Sequence, residues 1–194
     1  MKKTLLSMAV FMLALLNVSF AGDDDGNMKK GIRAGWQASN FYGDNYDNNS
    51  ENFNSFYVGI FGEKKLIPLL RLGVGLEYSQ TGSVSTVFDN TKYVRSQIYL
   101  PIYAKVKLGP VYAQGGLSPT FGIGNKFTLL DEEQSLDDDA KTSTFDAPVF
   151  LGLGVKILMI SVEARYNWGT SNLSKLDNTN YKQQYFQLGA AISF

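Results

Sequence analysis

The chain has 194 residues, with 18 Lys and Arg against 18 Asp and Glu, and neither histidine nor cysteine. Missing thiols exclude disulfides, thiolate metal sites and a lipid-modified cysteine, and the balanced charge offers no basic face for nucleic acid. Missing imidazoles close the histidine-dependent routes to proton transfer and nucleophile activation, so no catalytic residue, cofactor or metal ligand is expected.

Residues 1–21 read as a secretory signal peptide. Lys2 and Lys3 give the positive start, Leu5 to Leu16 the apolar run, and Ser19-Phe20-Ala21 a small-x-small cleavage site ending at Ala21. The run holds about a dozen apolar residues against the roughly 20 needed to cross a bilayer, and no later segment is longer. No transmembrane helix is therefore expected. Removing Lys2 and Lys3 leaves 16 bases against 18 acids, a slightly acidic mature chain. Residues 22–29, with Asp23-Asp24-Asp25, form a short polar leader on the periplasmic side, and residues 30–194 form one domain.

From there the chain alternates with a period of two, the signature of strands. Strand one, Lys30 to Phe41, sets Ile32, Ala34, Trp36 and Ala38 against Gly31, Arg33, Gly35 and Gln37. Strand two, Phe53 to Glu63, sets Phe56, Val58 and Ile60 against Tyr57, Gly59 and Phe61. Strand three, Leu70 to Thr81, sets Leu72, Val74, Leu76 and Tyr78 against Arg71, Gly73, Gly75 and Glu77. Glycines beside single charges suit a narrow interior that cannot hold a large side chain everywhere.

Strand four runs from Lys92 to Leu108, with Arg95, Lys105 and Lys107 on the inner face and Pro101 marking a bulge or the level where the strand outgrows its neighbours. Strand five, Val111 to Phe121, turns Tyr112, Gln114, Gly116, Ser118 and Thr120 inward. The longest loop, Gly122 to Asp146, is acidic; its stretch 130–146 could hold a divalent cation but lacks the spacing of a calcium loop. Strands six, Ala147 to Lys156, and seven, Leu158 to Thr170, turn Lys156, Glu163 and Arg165 inward. The last, Tyr185 to Phe194, puts Phe186, Leu188, Ala190, Ile192 and Phe194 on one face.

Eight strands of about 10 to 13 residues, joined alternately by short turns and long polar loops, describe an all-β, eight-stranded antiparallel up-and-down transmembrane barrel. Closure is a physical necessity, because a strand edge in hydrocarbon has no water to bond. The outward rings Trp36, Phe56, Tyr78, Phe121, Tyr166, Trp168 and Phe186 then meet lipid or its interface. The inward charges Arg33, Glu63, Arg71, Glu77, Arg95, Lys105, Lys107, Lys156, Glu163 and Arg165 meet inside a cylinder only wide enough for side chains. A salt-bridged plug is the expectation, with a narrow path for small anions as the alternative. A soluble periplasmic β-sandwich that binds a ligand is the competing fold.

The runs Gly73 to Tyr78, Tyr99 to Lys105 and Glu163 to Gly169, with the closing Phe194, resemble the small outer-membrane barrels of the OmpX and OmpA transmembrane type. More narrowly they resemble the PorT-like outer-membrane β-barrel family of Bacteroidetes. The resemblance implies location in the outer membrane of a Gram-negative cell, contact with lipid and lipopolysaccharide, a monomer with both ends in the periplasm, and a non-enzymatic role. It also implies that Leu188, Ile192 and Phe194 are read by the barrel-assembly machinery.

Overall fold

A computed structural model describes residues 28–42, 50–85, 91–129, 132–135, 145–170 and 182–194. The expected signal peptide, its cleavage after Ala21 and most of the leader lie outside the described residues, as does most of the acidic stretch 130–146. Twelve β elements are present and, among the described residues, no helix. They are β1 Met28–Tyr42, β2 Ser50–Ile67, β3 Leu70–Ser85, β4 Thr91–Tyr99, β5 Ile102–Leu108 and β6 Val111–Leu117. β7 Thr120–Leu129, β8 Glu132–Ser135, β9 Phe145–Asp146, β10 Val149–Ile157, β11 Ile160–Trp168 and β12 Lys182–Ser193 follow.

These elements form eight antiparallel staves, with β4 and β5 making the fourth and β6 and β7 the fifth. The first and last staves pair from Gly31↔Ser193 to Tyr42↔Lys182, and reciprocal backbone bonds between Lys30 and Phe194 finish the seam. The sheet has become a cylinder with no free edge in its wall. Three short turns, at Pro68-Leu69, Gly109-Pro110 and Leu158-Met159, lie at the same end as Met28 and Phe194. That end is called the turn end here.

Apolar side chains line the outside and polar ones the inside. Leu151 and Leu153 on β10 and Ile160 and Val162 on β11 are more than half exposed, whereas Arg33, Glu77, Glu163 and Arg165 are each at most 2% exposed. A sandwich would bury the first set between two sheets, so the soluble alternative is overturned. The barrel is stabilised by pairing its backbone stave to stave while its apolar coat faces hydrocarbon.

Several expected boundaries are corrected. The expected strands four and five are each interrupted, at Leu100-Pro101 and at Ser118-Pro119, and Leu100 is buried rather than outward. Proline has no amide hydrogen to give the ladder. The Pro101, Pro119 and Pro148 carbonyls nevertheless accept from Gly75, Leu100 and Ser118, each on a neighbouring stave. The ladders also outrun the expected lengths: β2 has 18 residues and β3 has 16. β7 continues through Gly122 to Leu129, where a loop was expected, because it pairs with β4 from Tyr99↔Thr120 to Lys92↔Thr128. Leu158, expected in strand seven, sits in the turn with φ 55°.

Candidate functional site

The lumen brings together side chains from staves far apart in sequence. At its centre the Arg165 guanidinium grips Glu77 with two parallel bonds, Nη1 to Oε1 at 2.9 Å and Nη2 to Oε2 at 3.0 Å. Arg33 Nη1 stands 3.4 Å from the same Glu77 and 3.2 Å from Glu163 Oε1, and Arg165 Nε stands 3.6 Å from that Glu163 oxygen. Two cations and two carboxylates alternate around a ring. Each charge removed from water thus has opposite charge on both sides, the condition under which burial is tolerable.

Tyrosines and a glutamine add hydrogen bonds to the ring. Tyr103 Oη accepts from Arg33 Nη2 at 2.8 Å and donates to Glu63 Oε1 at 3.1 Å, while Lys105 donates to that same Glu63 oxygen. Tyr112 Oη and Gln114 Nε2 donate to Glu163 Oε2 at 2.9 and 3.2 Å. Arg33 also lies over the Phe61 ring, 4.3 Å from its centroid, and Lys105 lies at the same distance over Tyr112. The polar centre is thereby walled by π-faces that favour cations.

Glycine makes room for two of those tyrosines. A Cβ built on Gly73 would fall 2.3 Å from the Tyr103 ring, and one on Gly154 the same distance from Tyr112. The rings lie flat against bare backbone on the neighbouring stave. No larger residue leaves them that space.

Toward the loop end an amide layer closes the bore. Gln187 donates to Gln37 at 2.8 Å, Asn167 to Gln187 at 3.3 Å, and Gln97 and Gln183 exchange bonds at 3.2 and 3.1 Å. Tyr99 and Thr81 both donate to Gln97 Oε1. None of these amides was singled out as a site residue from sequence, although all four glutamines share the parity of the inward charges; that parity was the available signal. Asp146, expected at the edge of a loop, is 1% exposed on β9.

The expected site residues separate into groups. Arg33, Glu77, Glu163 and Arg165 form the ring, with Lys105 one step below. Arg95 is buried away from it, its guanidinium against the bare backbone of Gly122. Arg71 is half-buried at the turn end with Lys107 and Lys156. The outward aromatics gather in neighbouring pairs: Trp36 with Phe186 at 6.2 Å, Phe56 with Tyr78 at 6.5 Å, Tyr166 with Trp168 at 4.6 Å, and Phe121 with Phe145 at 5.2 Å. Leu188, Ile192 and Phe194 make an outward stripe on the closing strand.

An all-β cylinder with lipid-type residues outside and an ionised, side-chain-filled bore is an outer-membrane barrel. The chain belongs to the outer membrane protein beta-barrel domain family, which matches residues 5–194, and the outer membrane is its location. Among solved structures it is similar to Ail, the attachment invasion locus protein of Yersinia pestis, crystallised with the heparin analogue sucrose octasulfate. That likeness has 18% identity and a TM-score of 0.54, over 87% of this chain and 99% of that one. Neisserial surface protein A is similar too, at 13% identity and a TM-score of 0.53, over 87% and 98% of the two chains. Likeness at this identity shows the fold. Among curated protein sequences there is no match.

Proposed function

We propose that the protein is a non-enzymatic scaffold, inserted after loss of residues 1–21, whose plugged barrel holds its four long connections at the cell surface with the turn end in the periplasm. The observation that supports this is the Arg33, Glu77, Glu163 and Arg165 ring: it is stacked against an amide layer and leaves side chains where a conduit would need water. The lumen carboxylates Glu63, Glu77 and Glu163 are spent in ion pairs.

The assignment includes the PorT-like branch of the family, supported by Gly73 to Tyr78, Tyr99 to Lys105 and Glu163 to Gly169. It also includes recognition of the Leu188, Ile192 and Phe194 stripe by the assembly machinery, contact of the coat with lipid and lipopolysaccharide, and a monomeric state. Purified protein in planar bilayers is expected to give no steady conductance at any salt concentration. Steady anion-selective current would replace the scaffold with the narrow-channel reading. Protease added to whole cells should cut within 43–49 or 171–181 and spare the turns at 68–69 and 158–159; the reverse pattern would invert the orientation.

A further inference from the structure

Below the central ring, at the turn end, the bore opens to bulk water as a small recess. Its walls carry Lys29, Arg71, Lys105, Lys107 and Lys156, and among the described residues lining it Glu63 is the sole carboxylate. Glu63 is already taken by Lys105 and Tyr103. Lys156 has found only the Ser193 hydroxyl. Arg71 and Lys105 stand directly opposite each other on β3 and β5, a like-charge cross-strand pair that disfavours the sheet. The Arg71 Nη1 atom is buried and has no hydrogen-bond partner among the described residues.

The recess differs in its charge balance from the ring above. There, two cations meet two carboxylates and each is answered. Here, cations converge from β1, β3, β5 and β10 onto one recess, and among the described residues that line it only Glu63 is an acid. Packing does not require this, because the mouth is wet and neutral residues would fill the same wall. We propose that the recess is a binding site for a small oxyanion of the phosphate type, whose several acceptor oxygens match an arginine fork and surrounding ammonium groups. Tyr112 and the Glu63–Lys105 pair form its floor, so the anion is held and does not pass. Which compartment the mouth faces rests on the orientation proposed above; the binding itself does not.

The test is titration of inorganic phosphate into the folded protein in non-ionic detergent, at fixed ionic strength in chloride. Wild type should bind with an affinity on the order of millimolar or tighter. The variant carrying Lys107→Gln and Lys156→Gln, its folding checked by heat-dependent gel mobility, should bind about tenfold or more weakly. Equal affinity of the two proteins, or no saturable binding by wild type, overturns the proposal. So does binding that appears only when Asp23, Asp24 and Asp25 are all changed to Asn, because the leader would then be the occupant. Reconstitution in phosphatidylcholine vesicles, with and without phosphatidylglycerol, identifies the source of the phosphate. Competition by the anionic lipid means that a headgroup fills the site, and indifference to it means that a soluble anion does.

Discussion

Arg165 and Glu77, 88 residues apart, meet as a bidentate pair in the middle of the bore. Neither charge would be tolerable there alone. Replacing Arg165 by Met leaves Glu77 with only the more distant Arg33, and removing one partner of a buried pair typically costs about 3–5 kcal/mol. Denaturant unfolding from detergent or vesicles should show that loss. The double variant Glu77→Gln with Arg165→Met should recover a large part of it, and strict additivity of the two changes would mean that the pair is uncoupled.

The contact of Tyr112 with Gly154 makes a second prediction. A methyl group at residue 154 overlaps the ring, so Gly154→Ala should cost about 1–3 kcal/mol by overpacking. The same displacement draws Tyr112 away from Glu163. Gly124, whose Cβ would meet nothing within 4 Å, is the control. Equal losses at the two positions would show that the rings do not need the bare backbone.

The outer coat can be tested by depth. Leu153 is 65% exposed in the middle of β10, so Leu153→Arg faces hydrocarbon and should cost about 2–4 kcal/mol of folding into vesicles. Leu158, 90% exposed at the turn, should tolerate Arg at a cost of roughly 0–1 kcal/mol. Equal penalties would place the bilayer elsewhere on the barrel.

Leu158 carries a second consequence. Its φ of 55° lies in the left-handed region, which costs a residue bearing a Cβ about 1–2 kcal/mol. Leu158→Gly relieves that strain but adds freedom to the unfolded chain, an opposing effect of about 0.4–1 kcal/mol. Unfolding should therefore be unchanged or slightly harder. Clear destabilisation would mean that the leucine side chain itself anchors the turn.

Side-chain parity carries most of the barrel in sequence. It assigns Arg33, Glu77, Glu163 and Arg165 to one compartment without knowledge of the structure. It does not say that Arg165 reaches Glu77, because contact across a bore depends on the relative stagger of staves that are not neighbours. Asp146 escaped because a two-residue strand has no period to detect. The long ends of β2, β3 and β7 escaped because their Asn, Ser and Thr residues read as loop while still pairing along the ladder. Lys29 reads as leader in the sequence, yet its backbone lies opposite Glu63 on β2 and its side chain helps to wall the recess.

Pro101, Pro119 and Pro148 fall on three successive staves, and the carbonyl of each is claimed by the stave before it. None of the three has an N–H to donate in return. The wall therefore carries a short diagonal perforation, and mechanical extraction or solvent exchange should tear the cylinder along that line before it breaches the ion-paired middle.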